Sequence, residues 1–118
     1  NATITAFGRH YGVKSNLVTA GNGSDELIQV IMSAFLMKGD RVLTLSHDFS
    51  MYRFYTSIVE AECIEVTKNE DLTINVDNVI ETANEKQVRM IIFSNPCNPT
   101  SLGLCKDEVR RLIRSMPL

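Results

Sequence analysis

No apolar run in this sequence approaches the roughly 20 residues of a membrane span, and no block of lysine and arginine marks a nucleic-acid face. The densest basic stretch, Arg110-Arg111 with Arg114, lies among helix-forming residues and reads as a solvated helix face. Twelve basic against fourteen acidic side chains leave a net charge of −2, too balanced for a polyanion partner. The three cysteines, Cys63, Cys97 and Cys105, show no C-x-x-C spacing. A zinc site or a disulfide framework is therefore not expected, and a reducing cytoplasm fits best. His10 and His47 belong to neither an H-E-x-x-H nor an H-x-E pattern, so each reads as a surface or capping residue. No signal-peptide pattern is read at residue 1, and no repeat, linker or low-complexity segment interrupts the chain. Membrane, nucleic acid and metal are all set aside on these grounds.

What is present is enough for one folded domain. The chain has 118 residues, 44% apolar and 22% charged, inside the globular range. Ile4, Phe7 and Tyr11 share a helical stripe that Gly12 can end, although no clear cap opens it. A helix is expected from about Asp25 to Met37, apolar nearly all round and hence deeply buried. Strands are expected at 41–46 and 62–67, with a short extended stretch at 72–76. Helices are expected at 51–60, at 77–86 with entry at an Asp, and at 106–115 with Val109, Leu112 and Ile113 inward and Pro117 just after. Met90-Ile91-Ile92-Phe93 makes 88–94 the most apolar strand, the pattern of one covered on both faces. Strands alternating with helices predict an α/β fold, a three-layer αβα arrangement on a parallel sheet.

In open α/β sheets ligands bind beyond the carboxyl ends of the strands. Three loops are expected at that edge. Gly21-Asn22-Gly23-Ser24-Asp25 runs into a helix N-terminus, where free N–H groups and the helix dipole favour an anion. It matches neither the P-loop nor the dinucleotide spacing, and it reads equally as a turn and cap. His47-Asp48-Phe49-Ser50-Met51-Tyr52 places aromatics after a strand end, either as packing or as cover for a planar ligand. Ser94-Asn95-Pro96-Cys97-Asn98-Pro99-Thr100 carries two Asn-Pro steps, a stiff loop that can hold a cis peptide and present carboxamide donors. Cys97 reads there as a bystander rather than a nucleophile.

These three motifs, in this order and spacing, resemble the fold-type-I pyridoxal-phosphate aminotransferases of class I/II, with the histidinol-phosphate aminotransferase group as the nearest match. The resemblance runs along essentially all 118 residues. It implies a partial cofactor-binding large domain over residues 1–118, with the N-terminal arm, later strands and C-terminal small domain absent. It further implies pyridoxal 5'-phosphate as cofactor. The backbone N–H groups of Ser24 and Asp25, entered through Gly23, would hold the phosphate. Phe49 would stack on the pyridine ring, and Asn98, at a cis Asn98-Pro99 step, would donate to the phenolic oxygen. No metal is implied.

Two departures from the family pattern stand out. Ser101 replaces the glycine of Asn-Pro-Thr-Gly, and Gly103 follows two residues later; a slightly altered turn with little effect on Asn98 is expected. None of the five lysines, Lys14, Lys38, Lys68, Lys86 and Lys106, matches the family's Schiff-base position. The chain alone is therefore expected to be inactive, with no catalytic residue of its own. The resemblance implies a cytoplasmic homodimer in amino-acid biosynthesis that moves an amino group between a small-molecule amino donor and a 2-oxo acid. The alternatives are a related pyridoxal-phosphate decarboxylase and a non-catalytic α/β module for a phosphorylated ligand. The strands at 42–46, 62–67 and 88–94 should be parallel neighbours with 42–46 in the middle, and residues 17–20 should not pair beside it.

Overall fold

A computed structural model of the chain describes residues 1–116; Pro117, expected just past the last helix, lies outside the described residues. The chain divides into two compact units, Asn1–Ile31 and Met32–Leu118.

In the first unit, helix α1 (Ala2–Tyr11) does have a cap: the Asn1 side chain accepts from Thr3 N at 3.0 Å. Asparagine is among the best N-cap residues because its side-chain oxygen replaces a missing helical acceptor. Gly12 closes α1 in the left-handed region at φ 67, as its position in the sequence suggests. One 3-10 turn, Ser15–Leu17, follows, and residues 18–20 form no strand. Helix α2 (Gly23–Phe35) then starts and ends two residues earlier than expected. The expected deep burial is not seen. Met32 is its buried residue, while Val30, Ile31 and Phe35 are 52, 45 and 61% exposed. Apolar residues all round a helix state what it can pack against, and do not themselves supply the neighbours.

The second unit is built on a three-stranded parallel sheet. Strand β1 (Arg41–Leu45) lies between β2 (Glu62–Val66) and β3 (Met90–Ile91), in the expected order and direction. Leu45 pairs in register with Val66, and Val42 with Met90. Parallel neighbours need crossovers, supplied by α3 (Met51–Ile58) and α4 (Val76–Glu85); α5 (Lys106–Arg114) follows β3. Val42 and Leu43 are wholly buried, and Leu43, Leu45, Val66, Val76, Val79, Ala83 and Leu112 form one core.

Three expectations need correction here. The strand at 88–94 shrinks to two ladder residues, extended only by Arg89 N to Arg41 O at 2.8 Å and Ile92 N to Leu43 O at 2.9 Å. It is an edge strand with half-buried residues, so a continuous apolar run did not mean cover on both faces. An apolar cleft of about 390 Å³ lies beside it, lined by Met90, Phe93, Val109 and Ile113. On α5, Leu112 is buried and Val109 half-buried, but Ile113 is 67% exposed. Residues 72–75 form no strand. Leu72 sits at φ 66 in a turn closed by Leu72 N to Asn69 O at 2.8 Å. The Asp71 carboxylate accepts from the Thr73 hydroxyl and N–H, which hold its carboxyl below the usual range.

The entry to α4 also differs. Asn75, not Asp77, is the cap, accepting from Asn78 N at 3.1 Å. Asp77 lies within the first turn and pairs with Arg111 of α5. Asn75→Ala should cost about 1 kcal/mol in urea unfolding. Asp77→Ala should cost less, about 0.5 kcal/mol, because its ion pair is exposed. The reverse ranking would return the cap to Asp77.

Candidate functional site

The first candidate loop belongs to the N-terminal unit. Gly23, at φ 83, is the first residue of α2, and a Cβ built there would meet nothing within 4 Å. Glycine is thus required by backbone conformation and not by space. Ser24 and Asp25 are exposed residues of the first turn, where N–H groups have no partner inside the helix and sit at the positive end of its dipole. Glu26 turns its carboxylate back to accept from Asn22 N at 2.5 Å, which fixes the loop.

Phe49 and Asn98 belong to the second unit, on loops that leave the carboxyl ends of β1 and β3. Asp48 ties these loops together: it accepts from Phe49 N at 2.7 Å and from Ser94 N at 3.1 Å. Tyr52, buried at the start of α3, adds a bond from its hydroxyl to Ser94 Oγ at 2.9 Å. Phe49 is half-buried and meets the Tyr52 ring edge-on, centroids 5.5 Å apart. A hollow of about 190 Å³ opens beside it, lined in part by Thr44, Asp48, Ser50 and Arg53.

Asn98 is exposed, and among the described residues its carboxamide has no hydrogen-bond partner. The peptides Asn95-Pro96 and Asn98-Pro99 are both cis. Asn95 bonds both ways to Leu104, with Leu104 N to Oδ1 at 2.8 Å and Nδ2 to Leu104 O at 3.3 Å. Gly103 permits this closure, since a Cβ there would run into Asn95 Oδ1. Ser101 adopts φ 63, the conformation glycine favours, while its N–H donates to Cys97 O at 2.8 Å. The turn therefore keeps a left-handed shape in spite of the substituted residue.

Sequence reasoning missed two side chains at this edge, Asp48 and Lys68. Lys68, two residues past β2, is only 6% exposed; its Nζ lies 3.0 Å from Cys97 Sγ and 3.5 Å from His47 O. Cys97, 4% exposed, also contacts His47 O at 3.3 Å. Burial opposes ionisation of Cys97. Hydrogen bonds from the Lys68 ammonium and from Thr100 outweigh it, and the thiol lies below its ordinary value. A lysine after a strand carries no mark of burial in sequence, because the partner is 29 residues away. By contrast, burial pushes the Cys63 thiol up.

The apolar cleft beside β3 offers no comparable chemistry. Its one charged lining residue, Arg89, is engaged by Phe35 O at 2.9 Å and Asp40 at 3.4 Å. Polar groups gather instead at the carboxyl edge of the sheet, where α/β proteins of this type hold their ligands.

That class can be narrowed. The model of the family described as aminotransferase class I and II matches residues 1–117, and the chain belongs to that family. It is 40% identical over 111 residues to histidinol-phosphate aminotransferase of Clostridium novyi, covering 94% of this chain and 31% of that protein. It is 37% identical over 112 residues to the enzyme of the same name from Chlorobaculum tepidum, covering 95% and 32%. In fold it resembles the crystal structure of histidinol-phosphate aminotransferase from Sinorhizobium meliloti in complex with pyridoxal-5'-phosphate. The TM-score is 0.89 at 18% identity, covering 97% of this chain and 31% of that one. The chain thus spans about a third of the length of the relatives it matches.

Two stability changes test the local geometry. Ser101→Gly should raise stability by about 0.5–1 kcal/mol through relief of the left-handed backbone, read as a higher urea midpoint. Asp48→Ala should cost about 1–3 kcal/mol, since Phe49 N and Ser94 N lose their acceptor in a half-buried place. A neutral result for Asp48→Ala would mean that the two loops are held by other contacts.

Proposed function

We propose that residues 1–118 are part of the large, cofactor-binding domain of a pyridoxal-phosphate-dependent aminotransferase. The enzyme transfers an amino group between an amino acid or amino-alcohol phosphate and a 2-oxo acid, as a cytoplasmic homodimer in amino-acid biosynthesis. The observation that carries this reading is the braced pair of loops at the sheet's carboxyl edge, which presents the Asn98 carboxamide without a partner among the described residues, in a chain of this family. Three cysteines, all free, suit a reducing compartment. No helix among the described residues is long and apolar enough to cross a membrane.

The residues present fit the cofactor's chemistry. The glycine-entered start of α2 supplies backbone donors for a phosphate, with the Glu26 carboxylate occupied by Asn22 N. Phe49 supplies an aromatic face, and Asn98 a free donor for a phenolic oxygen. When bound, pyridoxal phosphate supplies the electron sink that the amino acid's own carbon lacks. The chain's part is to bind and orient. Ser24 and Asp25 hold the phosphate, Phe49 fixes the plane of the ring, and Asn98 sets its rotation and favours negative charge on the phenolic oxygen.

Lys68 is not offered as the amine that binds the cofactor's aldehyde, because its ammonium is buried against Cys97. Proton transfer at the substrate carbon needs a positioned base that these residues do not supply. The isolated 118-residue chain should accordingly show no turnover. The test is the absorbance of the full-length protein titrated with pyridoxal phosphate. Asn98→Ala should weaken binding about 10-fold or more, the value of one hydrogen bond to a charged oxygen. Gly23→Val should weaken it through the strained φ at the start of α2. Carbon dioxide release without amino transfer would move the assignment to a decarboxylase, and no binding at all would leave a module for another phosphorylated ligand.

A further inference from the structure

Among the described residues, Lys68 is the only charged side chain that is buried. Removing an ammonium from water is costly unless good acceptors replace the lost solvation. Here the replacements are Cys97 Sγ at 3.0 Å and His47 O at 3.5 Å, and no carboxylate of the described residues lies within ion-pair distance. The two acceptors come from different loops. His47 lies two residues before Phe49, and Cys97 immediately precedes Asn98. Lys68 itself is anchored, since its N–H donates to Ser46 Oγ at 2.8 Å. Cys97 is fixed through its backbone as well, with N to Leu102 O at 2.7 Å and O from Ser101 N at 2.8 Å. Cys97 thus ties the loop that carries Asn98 to Lys68, beside its own contact to His47 O and the bonds of Asp48 and Tyr52 to Ser94.

We propose that Lys68 is a positioning residue for the cofactor: through Cys97 Sγ and the His47 carbonyl it locks the Asn98 loop to the Phe49 loop, so that the Asn98 carboxamide stands oriented for the phenolic oxygen of pyridoxal phosphate. This rests on the function proposed above. The arrangement demands both partners. Without the ammonium, the Cys97 thiol keeps the His47 carbonyl and Thr100 as partners but loses the charge that favours its ionisation. Without a polar atom at residue 97, the ammonium keeps one distant carbonyl and must seek water, carrying the loop with it. Asp48 and His47 are the other ionisable groups on the facing loop. The Asp48 charge opposes ionisation of Cys97, whereas the Lys68 ammonium favours it.

The experiment uses the full-length protein and two readouts. Ultraviolet thiolate absorbance, referenced to Cys97→Ser, follows the titration of Cys97 in the absence of cofactor. Lys68→Met should move that titration upward. Absorbance titration with pyridoxal phosphate then reads the position of Asn98. Lys68→Met should weaken binding about 10-fold in the wild-type background and cause no further loss when Asn98→Ala is already present. Cys97→Ser, which keeps an acceptor for the ammonium, should lose less affinity than Cys97→Val, and this pair decides the matter should Lys68→Met fail to fold. Equal losses with and without Asn98, equal effects of serine and valine, or an unmoved thiol titration would each overturn the proposal. Normal loss in Asn98→Ala with none in Lys68→Met would overturn this proposal alone, whereas no binding by the wild-type protein would overturn the function reading first.

Discussion

Strand β1 is the constraint on which the rest of the second unit depends. It is paired on both edges, and Val42, Leu43 and Leu45 along it are buried. Because both neighbours run parallel to it, all three strands deliver their following loops to the same edge. That single fact places His47–Phe49, Lys68 and the Asn95–Thr100 segment together, although they come from three distant parts of the sequence. An antiparallel β3 would send the Asn-Pro loop to the opposite edge and dismantle the site.

Within that edge the polar groups divide the labour. Asp48 satisfies backbone N–H groups on both its own loop and the β3 loop, so it closes the edge at close range. Tyr52 to Ser94 adds a second bond from α3. Lys68 and Cys97 close it from the β2 side with a buried charge and a soft acceptor. Such pairs contribute little net stability, because desolvation offsets attraction, but they impose one geometry. The exposed Asn98 carboxamide is the group left free by this bracing. A free donor on a rigid loop is what an orienting contact requires.

Much of this was legible in the sequence where local chemistry decides the outcome. Gly12 ended α1, the parallel direction of the strands followed from alternation, and the glycine-rich entry opened α2. The second Asn-Pro step gave a cis peptide, as the family resemblance implied. What was not legible depended on distant partners. Ile113 and the 88–94 run carry the apolar pattern of interior residues, yet Ile113 on α5 is exposed and the run forms an edge strand that is only half-buried, with Val88, Ile91 and Phe93 packed on the core from one side. Asn75 is the cap because α4 begins at Val76, which puts Asp77 inside the first turn, where its carboxylate meets Arg111 of another helix. Nothing in the sequence set Lys68 apart from the other four lysines, since only the folded loop brings Cys97 to it. The roles of Gly23, Ser24, Asp25, Phe49 and Asn98 toward a cofactor remain proposals that these contacts support.

The most direct measurement is a crystal structure of the full-length protein grown with pyridoxal phosphate. The account predicts the phosphate on the Ser24 and Asp25 amides, the Phe49 ring face against the pyridine, and Asn98 Nδ2 within hydrogen-bond distance of the phenolic oxygen. A cofactor bound elsewhere, or bound with Asn98 turned to solvent, would contradict it.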